Sequence, residues 1–272
     1  MKRTVFFISD RTGITAEMLG HSLLTQFENI DLERITLPFV DTTEKATRAA
    51  QRINQAATAD GIRPIVFSTM VDTEMAAVVS SANALTLDCF QIFISPLEAE
   101  LGLRSSHAIG RSHSLVNALE YHQRMEAVNF AMAHDDGQST KDLSNADVIL
   151  IGVSRSGKTP TCLYMSLQFG TRAANYPLIP EDLASLRLPS HLKPLRAKTY
   201  GLTIQPERLS QIRFERRPNS KYASLGNCQR EIREAEALMQ QENISYLDTT
   251  TKSIEELATT ILHQANLVRH VY

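Results

Sequence analysis

Eight consecutive residues constrain the fold of this chain more than any others. Gly152-Val153-Ser154-Arg155-Ser156-Gly157-Lys158-Thr159 fits the pattern G-x-x-x-x-G-K-[ST]. Such a loop needs a buried strand running into it and a helix leaving it. Its backbone N–H groups curl around one anion, and the positive helix end points at the same place. Both flanks are present: Val148–Ile151 is an apolar run of strand length, and the segment from Lys158 to Phe169 reads as helix. Lys158 is placed to reach the outer phosphates and Thr159 to hold Mg²⁺. Pro160 falls in the first helical turn, where its missing N–H costs nothing. A chance match somewhere in 272 residues has a probability of about one in a hundred. The competing reading is a Gly/Ser-rich turn with an incidental lysine.

Along the whole chain, apolar runs alternate with helical patterns, which implies parallel sheet and right-handed crossovers. Val5–Ile8, Ile35–Val40, Pro64–Ser68 and Cys89–Ile94 read as strands, the last ended by Ser95-Pro96. Ile14, Met18, Leu19, Leu23 and Phe27 follow helical spacing, and Ala46, Ala49, Ala50, Ile53 and Ala57 form one face of a helix capped by Thr42 or Thr43. A further helix runs from Asp72 to about Ala82, and a long one from Leu115 to His134. The latter ends in a polar loop, His134 to Ser139. A second series starts at Asp147, with shorter strands at Lys198–Leu202 and Ser245–Leu247. Ser253 and Glu256 form a capping-box pair before the apolar stripe Ile254, Leu257, Ala258, Ile261, Leu262. The expected fold class is α/β: an N-terminal parallel α/β domain over residues 1–140, then a P-loop, kinase-like α/β domain over 141–272. No internal repeat is visible.

Composition narrows the partners. Lys plus Arg number 28 against 30 Asp plus Glu, a net charge of −2. A domain that holds nucleic acid by neutralising phosphates is normally basic, so nucleic acid is not an expected partner. The three cysteines, Cys89, Cys162 and Cys228, lie far apart with no metal-ligand spacing. No run approaches the ~18 apolar residues of a membrane span, and the apolar run after Met1-Lys2-Arg3 stops at Ser9, too soon for a signal peptide. A cytoplasmic protein with reduced thiols is the expectation.

Other polar groupings are less specific. His134-Asp135-Asp136-Gly137 sets an imidazole beside two carboxylates at a helix end. An Asp there can accept a hydroxyl proton, or the pair can share Mg²⁺; a plain Asp-Gly turn explains the same residues. Arg208, Arg213, Arg216 and Arg217 form a basic cluster that can neutralise a moving phosphoryl group or simply line a solvated helix face. Ser9–Thr15 is an anion-binding turn or an ordinary strand-to-helix connection, and Ser105–His113 a polar loop with two histidines. Asn175-Tyr176-Pro177 follows the loop's helix and can approach a nucleotide. No strand ending in an Asp metal ligand is apparent after the loop.

These motifs together resemble one family. Phe7-Ile8-Ser9-Asp10 with Thr15-Ala16-Glu17, Ala133-His134-Asp135-Asp136-Gly137, the loop through Pro160-Thr161, Arg172-Ala173-Ala174-Asn175-Tyr176-Pro177, Gly201–Leu209 and Ser220-Lys221-Tyr222-Ala223-Ser224-Leu225 are similar to the phosphoenolpyruvate synthase regulatory proteins. These are relatives of the plant pyruvate, phosphate dikinase regulatory proteins, and the resemblance runs over nearly the full length.

The resemblance implies a bifunctional regulator. One activity is an ADP-dependent Ser/Thr kinase that inactivates phosphoenolpyruvate synthase; the other removes the same phosphoryl group with inorganic phosphate and forms pyrophosphate. It implies ADP and Mg²⁺ in the site, with Gly152 to Thr159 as the nucleotide cradle, Lys158, His134, Asp135 and Asp136 as the catalytic group and Thr159 as the metal ligand. A homodimer is compatible with it. Two other readings stay open on residues alone: a P-loop kinase of a small metabolite, and a nucleotide-sensing module without chemistry.

Overall fold

The computed structural model describes residues 2–106, 118–137 and 141–269. The chain divides into two compact units, Met1–Ser114 and Leu115–Tyr272.

The first unit is a four-stranded parallel sheet of β1 (Lys2–Ile8), β2 (Asp31–Leu37), β3 (Ile65–Ser68) and β4 (Leu85–Asp88), in the order β2-β1-β3-β4. Side chains of β1 alternate between faces. Val5 and Phe7 pack toward α1 (Ile14–Leu24), while Phe6 and Ile8 pack toward α2 (Thr43–Asp60) and α3 (Thr73–Ser80). Such burial of both faces explains why β1 reads as a continuous apolar run.

Two expectations for this unit need correction. β2 ends at Leu37, not Val40, because Pro38 has no N–H for the ladder. Cys89–Ile94 is not a strand; the strand is β4, and Gln91–Leu101 forms helix α4. Asp88 makes the difference. Its carboxylate accepts the N–H groups of Phe90 and Gln91 at 3.0 and 2.9 Å, so the first-turn donors are satisfied and a helix starts there. Pro96 sits inside α4 at the cost of one helical hydrogen bond. The histidines of the expected loop, His107 and His113, lie outside the described residues.

The second unit is another four-stranded parallel sheet: β5 (Val148–Gly152), β6 (Ala173–Pro177), β7 (Thr199–Thr203) and β8 (Tyr246–Asp248), in the order β6-β5-β7-β8. Val148 and Leu150 pack with α6 (Lys158–Phe169) and α10 (Ile254–Gln264); Ile149 and Ile151 pack with α7 (Pro180–Ser185) and α9 (Leu225–Gln241). Helix α8 (Pro206–Arg216) leaves the end of β7. The capping box of Ser253 and Glu256 opens α10 as expected.

Helix α5 (Ala118–Ala133) packs on α6 and β6. Asn175 N–H of β6 also donates to the carbonyl of His134 at 3.0 Å. The long helix and its terminal turn therefore belong with the second unit, and the division lies upstream of the expected boundary at residue 140.

The two strand orders are the same, although the sequence repeats nowhere. In each sheet the chain reverses its direction of winding beside the first strand, so the crevice outside the carboxyl ends of β1 and β3, or of β5 and β7, is the natural ligand position. Both first strands lead into a helix capped by a left-handed glycine, Gly13 at φ 80° and Gly157 at φ 88°.

Candidate active site

The loop from Gly152 to Thr159 lies at that crevice. Gly152 is required by space: a Cβ there would come within 2.2 Å of the Leu202 carbonyl oxygen on β7. Gly157 is required by conformation, since its φ of 88° is left-handed and it opens α6. Arg155 adopts a positive φ of 73° without being glycine, a further sign of a tightly curled loop. Ser156 is 1% exposed, and its hydroxyl has no partner among the described residues.

Lys158 is 4% exposed and donates to the Val153 carbonyl at 2.8 Å. Burial pushes its ammonium down to about 8, against the opposing pull of Asp136; Arg213 adds to the lowering and Asp135 resists it. The lysine is thus held inside the loop by a backbone oxygen that an anionic oxygen can replace.

Four side chains from three elements, Thr159, Asn175, Asp135 and Asp136, form one hydrogen-bonded cluster. The Thr159 hydroxyl donates to Asp135 Oδ1 at 2.8 Å. Asn175 Nδ2, from β6, donates to Asp135 Oδ1 at 2.6 Å, to Thr159 Oγ1 at 2.8 Å and to Asp136 Oδ1 at 3.3 Å. Asn175 Oδ1 is buried with no partner. The carboxylate that was missing from the strands after the loop is supplied instead by the turn that ends α5. Asp136 and Gly137 both take left-handed backbone there, at φ 50° and 67°, conformations that Asp and Gly tolerate best. A hydroxyl, a carboxylate and an unpaired amide oxygen within this cluster suit a hard divalent cation.

His134 is placed differently. Its Nδ1 lies 2.8 Å from the Phe130 carbonyl and its Nε2 2.7 Å from the Lys141 carbonyl, and its ring stacks on Phe130 at 4.0 Å. Both ring nitrogens are taken up by backbone, and the ring is absent from the cavity lining. It fixes the turn that presents the two aspartates.

A cavity of about 230 Å³ opens over the loop, lined by Asp136, Arg155, Lys158, Thr159, Ile212 and Arg216 among others. A larger cleft, about 510 Å³, lies at the ends of β7 and β8. Its carboxylates Glu236 and Asp248 already accept from Thr203 and Thr250, and Arg233 is its only cation. Charge favours the smaller cavity for phosphates.

The basic cluster divides in the structure. Arg213 is fully buried and serves the loop from behind. It donates to the Ser154 carbonyl at 3.0 Å, to Glu231 at 2.8 Å and to the Tyr222 carbonyl at 3.1 Å, with its guanidinium 4.2 Å over the Tyr222 ring. The Tyr222 hydroxyl in turn meets Ser154 Oγ at 3.0 Å. The sequence reading did not single out Tyr222 or Glu231 for the site. Both are far along the chain; the fold brings Tyr222 to Ser154 and Glu231 to the Arg213 that holds the Ser154 carbonyl.

Comparison with known proteins places the chain in a family. The family model described as kinase/pyrophosphorylase matches residues 5–262. A protein of Azoarcus sp. strain BH72, named "Putative phosphoenolpyruvate synthase regulatory protein", is 59% identical over 271 residues, covering 99% of this chain and 98% of its own. A Burkholderia multivorans protein of the same name is 57% identical over 272 residues and the full length of both chains. A two-unit α/β chain matched over nearly its whole length in this way belongs to the kinase/pyrophosphorylase family.

Proposed function

We propose that the chain is a bifunctional regulator of phosphoenolpyruvate synthase, acting in the cytoplasm. It phosphorylates a threonine of the synthase with ADP and removes that group with inorganic phosphate. The name carried by its full-length relatives supports the target. The observation that carries the chemistry is the meeting of Lys158, Thr159 and Asp136 on one cavity, with Asp135 bonded to Thr159 behind it.

In the kinase direction the threonine oxygen bonds to the β-phosphorus of ADP. The bond from that phosphorus to the bridging oxygen breaks, and AMP leaves with the electron pair. Asp136, at the cavity wall, accepts the hydroxyl proton. In the other direction an oxygen of inorganic phosphate bonds to the phosphothreonine phosphorus, the threonine oxygen departs, and Asp136 returns the proton to it. Pyrophosphate is the product. The same loop N–H groups and Lys158 hold the transferred group in both cases, so catalysis is positioning and charge neutralisation. Asp135 orients Thr159 and Asn175. Thr159 and Asp135 would hold a Mg²⁺ ion, which would add to the neutralisation of the phosphate oxygens.

The test is incubation with ADP labelled in the β-phosphate, with and without purified synthase, beside labelled ATP. Label should pass from ADP to a threonine of the synthase and leave as pyrophosphate when phosphate is added. Label moving to a small molecule would favour a metabolite kinase. Much faster transfer from ATP would overturn the donor assignment.

A further inference from the structure

Besides Lys158, the cavity over the loop is lined by two arginines, Arg155 and Arg216. Neither makes a hydrogen bond or ion pair among the described residues. They differ in origin. Arg155 is part of the loop and accompanies whatever the loop holds. Arg216 comes from the last turn of α8, a separate element.

Its position is fixed by the buried arginine three residues earlier. Arg213 ties α8 to the loop through the Ser154 carbonyl and to α9 through Glu231. With Arg213 facing inward, Ile212 and Arg216, one helical turn apart on the same stripe, both face the cavity. Arg216 is therefore held in register with the loop although its own side chain is unpaired.

The two reactions make unequal demands on such a group. ADP brings a nucleoside whose contacts add to those of its phosphates. Inorganic phosphate brings only charge and acceptor oxygens, and it must approach a phosphothreonine that is itself an anion. The cavity wall already holds a carboxylate, Asp136, beside its cations, and Lys158 is engaged with Val153. A further planar, bidentate cation is what a free phosphate needs there.

We propose that Arg216 is the receiving group for inorganic phosphate and pyrophosphate, so that it serves the phosphate-dependent reaction far more than the ADP-dependent one. This rests on the loop being the phosphoryl-transfer site.

The experiment is calorimetric binding of ADP, phosphate and pyrophosphate to the purified full chain, together with the KM for phosphate and for ADP in the two reactions. It compares the wild type with Arg216→Gln, Arg216→Lys, Arg217→Gln and Lys158→Ala. Arg216→Gln should weaken pyrophosphate and raise the KM for phosphate by roughly tenfold or more, while ADP changes by less than about threefold. Arg216→Lys, which keeps charge without the fork, should fall between. Arg217→Gln should match the wild type. If Arg216→Gln leaves pyrophosphate unchanged, or weakens ADP by the same factor, the inference fails. Loss of both ligands in Lys158→Ala would then show that the loop reading survives it. A wild-type chain that binds neither ADP nor pyrophosphate overturns both.

Discussion

Thr159 Oγ1 donates to Asp135 Oδ1 across 2.8 Å, joining the first turn of α6 to the turn that ends α5. With its proton committed to Asp135, the hydroxyl presents its lone pairs to whatever else approaches, at present the Asn175 amide. The two aspartates of the turn therefore have separate tasks. Asp135 arranges neighbours, and Asp136 stands at the cavity.

Asp136→Asn keeps the size of the side chain and removes its charge. It should lower the kinase and phosphorylase rates alike by ~10²-fold or more with ADP affinity nearly intact. Asp135→Asn should lower both rates and also weaken the Mg²⁺ dependence of ADP binding. Initial rates in both directions, with calorimetry, check this; full turnover in both variants would make the motif only a turn.

Lys158→Ala removes the ammonium from the loop. Nucleotide affinity or turnover should drop by about 10²-fold or more, since charge-assisted contacts to phosphate are among the strongest available. Unchanged ADP binding and kinetics in this variant would take the loop out of the mechanism.

The lysine also sets a pH dependence. In the free protein burial holds it down to about 8. Bound phosphate favours the charged form and raises that value, so binding above pH 8 must take up a proton. ADP affinity should fall as pH rises through 8, by about tenfold per unit once the free lysine is mostly neutral. Calorimetry at pH 8.5 in two buffers of different ionisation enthalpy measures the uptake. Lys158→Met should abolish it, and proton release in the wild type would contradict the assignment.

Gly152→Ala tests the packing beneath the loop. The added carbon would lie 2.2 Å from the backbone carbonyl of Leu202, which cannot step aside without parting β5 from β7. A loss of about 2 to 4 kcal/mol is expected, with a fall in Tm of about 5 °C or more. A wild-type melting curve would mean the strands yield more easily than their buried packing implies.

Much of the second unit can be read from sequence because local rules agree there. Val148–Ile151 is apolar on both faces, Lys158–Phe169 starts after a left-handed glycine, and Ser253 and Glu256 cap α10. Cys89–Ile94 misleads because its apolar residues fit either period, and the deciding contact is the Asp88 side chain. β6, Ala173–Pro177, is hard to recognise because two of its five residues are alanine and one is proline, so its apolar signal is weak. The partners of Thr159 illustrate the larger limit. Asp135 precedes it by 24 residues and Asn175 follows by 16, distances that no motif spacing records.

The shared strand order of the two units has one more implication. The turn Ser9-Asp10-Arg11-Thr12-Gly13 follows β1 as Val153-Ser154-Arg155-Ser156-Gly157 follows β5, and both close with arginine, a hydroxyl residue and a left-handed glycine before a helix. Lys158 comes next in one and Ile14 in the other. The molecule thus carries an internal comparison for its own loop from Gly152 to Thr159. The backbone device of turn and helix end occurs twice, but the ammonium only once. Whatever anion chemistry belongs to the second unit alone is to be sought in that side chain and the carboxylates gathered around it, not in the shape of the turn.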